Sequence, residues 1–573
     1  HYLKLNGNID LVGESQLVQK RYGVYDTNFP YNFSTIQFGE SIFDAASTGK
    51  IERDQQGKKN SFNYNYWSSP VTRQGAANNA PYKLPDVLRD GTNSAIPRNI
   101  NFVDGAYSAD GPVESPIKIT SRWIWTYRAT IGADPWANYY QWVNVGYWGS
   151  INVGDGYTMK GTGGAAPISE TQNYVFVGKP NSGDITTTQL NPNQIYLIGN
   201  PYPSALDANE FIKNNLNVFD GALRFWDHFG LSNNHLLAQY EGGYATYNLS
   251  GGVPGASNVL LTAFTGEVSS KIPERYIPVG QGFFVDADDT TTPGNLNFKN
   301  GQRVFKREVV TGTNSGSLFM KTATSKKSNT QEMQETTADN RPKIRLTFIS
   351  SLGFHRPLLV TMDKNTSNQF DFGYDAPLNE NNKEDMYWQL GQRKLVIQGV
   401  NNFNENQELP LGLKIAKTGL ASIKIQEVQY IDENTTLHIK DKFTGKTHNI
   451  SHKPFEIELE PGTYLDRFAL IFRYQKLVAE DLGTDILLVE PVLEDHNYHV
   501  FMNNTIAELQ IKNNGTDEIR SITLFNILGQ TMMTWNKELN RRIISLPVKL
   551  ATGVYMVQIN TINGTFNKRI IIE

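Results

Sequence analysis

The chain of 573 residues contains no cysteine. This absence excludes disulfide bonds, cysteine nucleophiles and thiolate metal sites. By itself it slightly favours a reducing compartment, because disulfides persist mainly in exported proteins. Domains of this size can nevertheless fold stably without disulfides, so the missing cysteine does not argue against export.

Net charge and long apolar runs are also scarce. The formal net charge is only -4 at pH 7. A chain that binds nucleic acid usually carries a marked basic excess, which this sequence lacks. No apolar run approaches the ~20 residues that a membrane-spanning helix needs. We therefore expect a soluble chain with no nucleic-acid partner and no transmembrane segment of its own.

Sequence motifs of common catalytic and metal sites are missing as well. The chain has no G-x-S-x-G, no G-x-x-x-x-G-K-[ST] and no H-E-x-x-H. These motifs mark serine nucleophiles, phosphate-binding loops and zinc sites. The histidines form only loose pairs, which we interpret as surface or turn residues: His228 with His235, His448 with His452, and His496 with His499. We predict no catalytic residue, no metal and no cofactor.

One cluster of acidic side chains contains Asp286, Asp288 and Asp289, and is followed by Gly294 and Asn295. Oxygen ligands of this kind suit calcium, but the spacing fails the twelve-residue loop pattern and lacks its closing glutamate. We interpret the cluster as a solvated turn after a strand. Paired carboxylates for glycoside hydrolysis stay open, because the distance between two acids cannot be read from a sequence.

Aromatic residues and glycine are abundant, with 27 Tyr, 29 Phe, 9 Trp and 48 Gly. Strongly periodic helical segments are scarce, whereas short alternating stretches between turn residues are common. Aromatic and β-branched residues favour strands. We therefore predict an all-β chain, and its length favours ~3 to 4 domains.

We expect these domains to be β-sandwich modules joined by polar linkers. The expected parts are 1–48, an N-terminal β segment that fits the end of a truncated repeat region; 49–310, a large β domain rich in Gly, Asn and aromatics; 311–341, a polar linker; 342–474, a second β-sandwich domain; 475–486, a linker; and 487–573, a C-terminal module. Because the chain starts at His1 with no signal peptide in view, we interpret it as a mature chain or a C-terminal fragment.

One short helix is predicted within the large β domain, from Ser204 to Asn215. Ser204 can accept hydrogen bonds at its N-terminus. Leu206, Phe211 and Ile212 lie near one face, as expected of a helix that packs on a sheet.

Six of the nine tryptophans fall into two neighbouring stretches: Trp67, Trp123, Trp125, Trp136, Trp142 and Trp148. Flat rings beside polar side chains can hold a sugar, because rings stack on C–H surfaces while hydroxyls form hydrogen bonds. Trp136 and Trp142 are therefore candidate glycan-binding residues. The alternation of Trp123, Trp125 and Tyr127 is more typical of rings packed in a core.

The end of the chain combines three motifs: Asn526-Ile-Leu-Gly529-Gln530, the stretch Leu550–Ile559, and the closing Lys568-Arg569-Ile-Ile-Ile-Glu573. Tyr555, Val557 and Ile559 recur at every second position, which predicts a strand with one buried face. Gly529 and Gly553 fit tight turns between strands.

This combination resembles the type A C-terminal sorting domain of the type IX secretion system, found on proteins that Bacteroidota export across the outer membrane. The resemblance covers about Leu487 to Glu573 and implies a seven-stranded or similar Ig-like β-sandwich. It also implies a secreted or cell-surface location after passage through the periplasm. The implied partners are an outer-membrane β-barrel shuttle protein and the translocon of that system.

The resemblance implies a set of recognition residues in the sorting domain: Asn526, Gly529, Gln530, Gly553, Tyr555, Lys568 and Arg569. The glycines of this set could act through the shape of the fold alone. The chain ends on Glu573, where many relatives of the family end on a basic residue, so the resemblance implies no role for a terminal cation.

Stretches before the sorting domain resemble large surface proteins of flavobacteria that end in the same domain: Asp54–Gly57, Tyr66–Pro70, Gly199–Pro203, Pro278–Val285 and Glu384–Trp388. This resemblance implies an adhesin-like, non-catalytic passenger. Surface glycans are a candidate partner through the tryptophan-rich stretches. The alternative is a secreted carbohydrate-binding or polysaccharide-degrading protein.

Overall fold

The structure is a computed structural model. It describes residues 2–20, 22–25, 36–104, 116–130, 138–229, 235, 242–256, 269, 271–308, 339–380, 382–474, 498–503, 507–513, 518–526, 530–537, 539, 541, 543–561 and 565–572. The chain forms two compact units, 1–476 and 477–573. The linker predicted at 475–486 lies outside the described residues, as does most of the linker predicted at 311–341.

The described part of residues 1–308 consists mainly of short strands. These strands are β1 Tyr2–Leu3, β2 Asn8–Leu11, β3 Tyr22–Tyr25, β4 Ile36–Gly39, β5 Ile42–Phe43, β6 Lys50–Lys58, β7 Tyr64–Trp67, β8 Val71–Thr72, β9 Leu88–Asp90, β10 Arg98–Asn99, β11 Asn101–Val103, β12 Lys118–Thr120, β13 Trp125–Thr126, β14 Arg128–Thr130, β15 Val143–Asn144, β16 Tyr157–Lys160, β17 Thr171–Pro180, β18 Ile185–Leu190, β19 Gln194–Gly199, β20 Ala205–Asp207, β21 Leu223–His228, β22 Gly242–Asn248, β23 Gly251–Val253, β24 Tyr276–Ile277, β25 Gly282–Ala287, β26 Gly294–Phe298 and β27 Arg303–Val304. The helices are α1 Leu84–Val87 and α2 Ala208–Asn214, with 3-10 turns at Ser121–Trp123 and Asn300–Gln302.

A large hydrophobic core lies among these strands. β17 pairs with β6 in the sheet order β10-β9-β17-β6-β2, and every second residue of β6 is buried. Trp67 of β7 is fully buried and packs edge-on against Tyr174 of β17, with ring centroids 5.4 Å apart. Burial of such large aromatic rings contributes strongly to the stability of the core.

A second six-stranded sheet runs in the order β14-β19-β25-β21-β22-β23. Successive side chains of a strand point to opposite faces of its sheet. Phe283 and Val285 of β25 and Phe225 of β21 belong to the large core. Phe284 and Asp286 of β25 therefore lie on the opposite face, which we call the outer face.

The rest of the first unit contains strands that belong to one eleven-stranded sheet. These strands are β28 Lys343–Ile349, β29 His355–Met362, β30 Ala376–Pro377, β31 Asp385–Leu390, β32 Arg393–Val400, β33 Glu408–Ile415, β34 Gly419–Gln429, β35 Thr435–Asp441, β36 Lys446–Asn449, β37 Phe455–Leu459 and β38 Gly462–Tyr474. Trp388, Leu346 and Phe468 are buried in a second core. The described part of unit 1 thus contains two large hydrophobic cores and one small cluster, which consists of Tyr127, Ala129, Leu197 and Phe284.

Unit 2 has its own core between two sheets. Its described strands are β39 Tyr498–Asn503, β40 Glu508–Asn513, β41 Ile519–Asn526, β42 Thr531–Trp535, β43 Ile543–Pro547, β44 Gly553–Thr561 and β45 Thr565–Ile572. They form the sheets β39-β40-β43 and β42-β41-β44-β45. Leu509 and Ile544 of the first sheet share one core with Val557 and Ile570 of the second.

The prediction of an all-β chain is confirmed. The finer prediction of β-sandwich modules, Ig-like in the tail, stays a prediction, as do the predicted domain boundaries. None of the helices that the structure describes is long and apolar enough to cross a membrane.

The short helix predicted from Ser204 begins later than expected. The residues before it form β20, which pairs with β24 and β27, and α2 starts at Ala208. Asp207, not Ser204, caps the helix, because its carboxylate accepts hydrogen bonds from the backbone N–H groups two and three residues later. The predicted cap was wrong because tertiary strand pairing takes up the first residues of the segment.

Candidate functional site

The outer face carries aromatic and charged side chains next to each other. Phe284 and Asp286 of β25 lie in register with Leu197 and Ile195 of β19. On the other side, Arg224 of β21 lies opposite Phe284. Directly opposite residues of paired strands have Cβ atoms only ~4.5–5.5 Å apart. The strand register therefore places a guanidinium and a carboxylate beside an aromatic ring.

Four aromatic side chains form a wall on this face, which we call the aromatic wall: Tyr127, Trp142, Tyr244 and Phe284. The ring centroids of Tyr127 and Trp142 are 4.8 Å apart. Phe284 meets the Trp142 ring at 90° and 6.0 Å, and the Tyr244 ring at 83° and 5.6 Å. Such edge-to-face contacts fix the ring orientations. The Tyr127 hydroxyl also donates a hydrogen bond of 3.4 Å to the carbonyl of Asn138, which anchors the segment that carries Trp142.

A cavity of about 240 Å³ lies beside the aromatic wall. Asn379, Glu380 and Val396 line it from the part of unit 1 that contains the eleven-stranded sheet. Pockets for drug-sized ligands usually measure ~300–1,000 Å³. This cavity therefore has room for a small ligand or for one end of a longer one.

Two charged side chains, Arg224 and Asp286, line the cavity, and Asp220 pairs with Arg224. Arg224 contacts Asp220 at 2.6 Å and Asp286 at 3.4 Å, measured from guanidinium nitrogen to carboxylate oxygen. Asp286 is only 9% exposed, and its Oδ1 atom accepts no hydrogen bond from any described residue. Burial raises the pKa of Asp286 to about 7, although the Arg224 guanidinium acts in the opposite direction.

Glu380 is a second acid that lines the cavity. Its carboxylate is 3.1 Å from Arg356, and its side chain is 24% exposed. Arg356 is itself buried and holds Asp385 at 2.6 Å, in a contact that uses two guanidinium nitrogens. Arg356 is thus shared between two acids, and Glu380 is its more solvent-accessible partner.

The structure places the predicted glycan-binding residues as follows. Trp142 lies in the aromatic wall, whereas Trp136 lies outside the described residues. Trp123 and Trp125 do not share a strand with Tyr127, because Trp123 ends a 3-10 turn and Trp125 starts a two-residue strand. Of these three, only Tyr127 is buried. The prediction of a core strand is therefore wrong for the two tryptophans.

The interpretation of the acidic cluster as a solvated turn is wrong for Asp286. This residue lies inside β25 and is buried. Asp288 does lie after the strand, where its carboxylate accepts a hydrogen bond of 2.8 Å from the Thr290 backbone N–H. The period-two pattern of β25 pairs Asp286 with Phe284 on one face. That pattern was a signal for Asp286 as a site residue.

The histidines also differ from the prediction in one case. His228 is only 2% exposed within β21, so it is not a surface residue. His448 lies on an exposed strand, as expected. Among the residues that the structure describes, no group of three or more His, Cys, Asp or Glu side chains could hold a metal ion.

In unit 2, Asn526 and Gln530 close the turn between β41 and β42. The backbone N–H of Gln530 donates a hydrogen bond of 3.0 Å to Asn526 Oδ1, and Asn526 Nδ2 donates one of 2.8 Å to Gln530 Oε1. The Asn526 backbone N–H also donates to the Gln530 carbonyl at 3.0 Å. Gly529 lies outside the described residues. The side chains of Asn526 and Gln530 therefore stabilise the turn between β41 and β42.

Among the other predicted recognition residues, some are buried in the fold of unit 2 and others are exposed. Tyr555 is buried, and its hydroxyl donates a hydrogen bond of 2.8 Å to the Ala551 carbonyl. A Cβ atom at Gly553 would meet the Tyr555 ring at 3.5 Å, an ordinary contact. Lys568 is exposed on β45. Arg569 is the next residue of the same strand.

Comparison with known families now identifies the chain. Residues 500–573 match a family described as a secretion system C-terminal sorting domain. The chain is therefore a cargo protein of the type IX secretion system, exported to the cell surface or secreted, and its tail interacts with that machinery. Residues 113–472, more than half of the chain, match a family described as a domain of unknown function, DUF8693, and the chain belongs to that family. No curated protein matches the chain.

Proposed function

We propose that the exported chain is an adhesin-like, non-catalytic protein that binds glycans in the cavity beside the aromatic wall. The observation that carries this proposal is the combination of Trp142 and Tyr244 rings with the polar groups of Asn379 and Glu380 around one small cavity. A sugar ring presents C–H faces that stack on aromatic rings and hydroxyls that pair with amide and carboxylate groups. Both kinds of partner meet here.

Further aromatic side chains lie just before Trp142 in the sequence. Tyr139 and Tyr140 are 48% and 78% exposed. The backbone N–H of Trp142 donates a hydrogen bond to the Tyr139 carbonyl, so the segment folds back on itself. Exposed rings that lie close in sequence to a residue lining the cavity favour a binding surface. They support a ligand longer than one sugar unit.

Arginine contacts favour binding over hydrolysis. A glycosidase uses one carboxyl group as proton donor and a second as base or nucleophile. Arg356 holds the Glu380 carboxylate in an ion pair at 3.1 Å, so this acid is already engaged by a guanidinium. Arg224 likewise contacts the Asp286 carboxylate at 3.4 Å. Acids held in this way are suited to accept hydrogen bonds from ligand hydroxyls.

Polysaccharide hydrolysis is the second candidate function, and one observation favours it. The pKa of Asp286 is about 7, within the range in which a buried carboxylic acid can donate a proton near neutral pH. Release of reducing ends from a polysaccharide, abolished by Asp286→Asn, would establish an enzyme. No release by the wild-type chain across a polysaccharide panel would support the non-catalytic proposal.

A glycan array probed with wild-type chain and Trp142→Ala tests the proposed function. Because Trp142 forms part of the wall, we expect its loss to weaken binding of a glycan hit at least ~10-fold, as for a central aromatic contact. Trp148→Ala is the matched control, since Trp148 is 49% exposed and does not line the cavity. It should bind like the wild type.

Two results would contradict the proposal. The wild-type chain could bind no glycan on a broad array at micromolar concentration. Alternatively, Trp142→Ala could bind every hit as tightly as the wild type, which would place recognition elsewhere.

A further inference from the structure

The charges around the cavity are unbalanced. Arg224 is surrounded by the carboxylates of Asp220 and Asp286, at 2.6 Å and 3.4 Å. Glu380 adds a third carboxylate to the same cavity. With Asp385 and Arg356 included, four acids lie around two guanidinium groups. This excess of carboxyl groups favours a ligand with positive charge, and such a ligand would also favour the ionised form of Asp286.

The neighbouring cations are already engaged. Arg224 is buried and its Nη2 atom donates to Asp220. Arg356 makes its shortest contact with Asp385, at 2.6 Å, and only a longer one with Glu380. A sugar acid would find these guanidinium groups occupied and would face the Asp286 carboxylate. The charges therefore disfavour an anionic ligand.

The Asp286 carboxylate has capacity for one more donor. It lines the cavity, is 9% exposed, and its Oδ1 atom has no hydrogen-bond partner among the described residues. A buried acceptor without a partner costs ~1–3 kcal/mol, and more when it is charged. A ligand donor at this atom would remove that cost. A positively charged donor would gain most, because charge-assisted hydrogen bonds are roughly twice as strong as neutral ones.

The aromatic wall favours the same kind of group. A cation within ~6 Å of the centroid of a Trp, Tyr or Phe ring is attracted by the negative face of the ring, most strongly by Trp. Trp142, Tyr244 and Phe284 line the cavity together with Asp286. An ammonium group in this cavity would thus contact a carboxylate and several rings.

We propose that the cavity selects a saccharide unit that carries a free, protonated amino group, with the ammonium donating to Asp286 and the sugar ring lying on the aromatic wall. This inference rests on the proposed glycan binding and names its ligand class. N-acetylation removes the positive charge, so the acetylated form of the same sugar should bind more weakly. A neutral sugar of the same length should also bind more weakly.

Calorimetric titration of the full chain tests this selectivity with three probes of matched length: β-1,4-linked oligomers of glucosamine, N-acetylglucosamine and glucose. At pH 7 and low salt we expect the glucosamine oligomer to bind at least ~10-fold more tightly than the other two. Asp286→Asn should remove this preference. Asp288→Asn is the matched control, because Asp288 lies two residues further on and does not line the cavity; it should keep the preference.

A second variant covers the case in which Asp286→Asn fails to fold, as shown by a lost thermal transition. Glu380 is partly exposed and lines the same cavity. Glu380→Gln should reduce the preference for the glucosamine oligomer, while the buried Arg356 keeps its two hydrogen bonds to Asp385.

The outcomes separate this inference from the function on which it rests. Equal affinity for all three oligomers, or an unchanged preference in both variants, would overturn the amino-sugar inference and leave glycan binding standing. Binding of tetramethylammonium or a lysine-rich peptide, without any oligomer bound, would overturn both. A tighter complex with a uronic acid oligomer would also overturn the inference.

Discussion

At the scale of single residues, Asp286 links the burial of a charge to the pH dependence of stability. Its pKa is about 7 in the folded chain, whereas an unperturbed Asp titrates near ~3.9. Between these values the folded state holds more protons than the unfolded state. The contribution of Asp286 to stability is therefore largest at low pH and declines as the pH rises towards 7.

We expect the Asp286→Asn variant to lack this decline in stability with rising pH. From pH 4 to pH 8 the free energy of unfolding of the variant should rise by roughly a few kcal/mol relative to that of the wild type. Denaturant unfolding of both proteins at several pH values measures the difference. Arg224, Asp220 and Asp288 are the charged groups that act on Asp286, and Asp220 titrates together with it, so the difference between the two profiles reports on the Asp220–Asp286 pair. Parallel pH profiles would contradict the assignment.

At the scale of secondary-structure elements, the turn between β41 and β42 depends on side-chain hydrogen bonds, whereas the start of β44 does not depend on its glycine. Asn526→Ala removes the two side-chain bonds to Gln530. We expect faster hydrogen exchange at the adjoining ends of β41 and β42, equivalent to ~1–2 kcal/mol.

Gly553→Ala should leave exchange in β44 unchanged, because the added Cβ makes only ordinary contacts.

Hydrogen exchange followed by mass spectrometry of peptides from 519–561 checks both variants in the full chain. Unchanged exchange in Asn526→Ala would show that the turn does not need its side chain. Strongly faster exchange in Gly553→Ala would contradict the space seen at that glycine. If Gly553→Ala folds normally but is exported poorly, its role lies in recognition and not in folding.

The sequence predicted some elements well and others poorly, for identifiable reasons. The alternation of Tyr555, Val557 and Ile559 predicts β44 and its buried face, because a period of two is a local property. Trp142 was identified because rings are conspicuous by type alone. Arg224 and Glu380 could not be identified, since they reach the cavity through strand pairing and through packing between distant parts of the chain.

At the scale of the whole molecule, the sorting signal and the candidate binding site belong to different compact units. The cavity lies in residues 1–476 and the matched sorting domain lies in residues 477–573. Each unit has a hydrophobic core of its own. Units with separate cores can in principle fold alone. We therefore expect a chain without unit 2 to keep its ligand affinity.

The most direct test is the amount of chain displayed outside the cell, measured with an antibody to unit 1 on intact cells of a type IX secreting bacterium. Cells that express full-length chain, or chain lacking 477–573, are compared at equal total expression. The sorting tail predicts that the shortened chain stays inside the outer membrane while the full chain is found outside. Equal amounts of both chains outside would contradict the account.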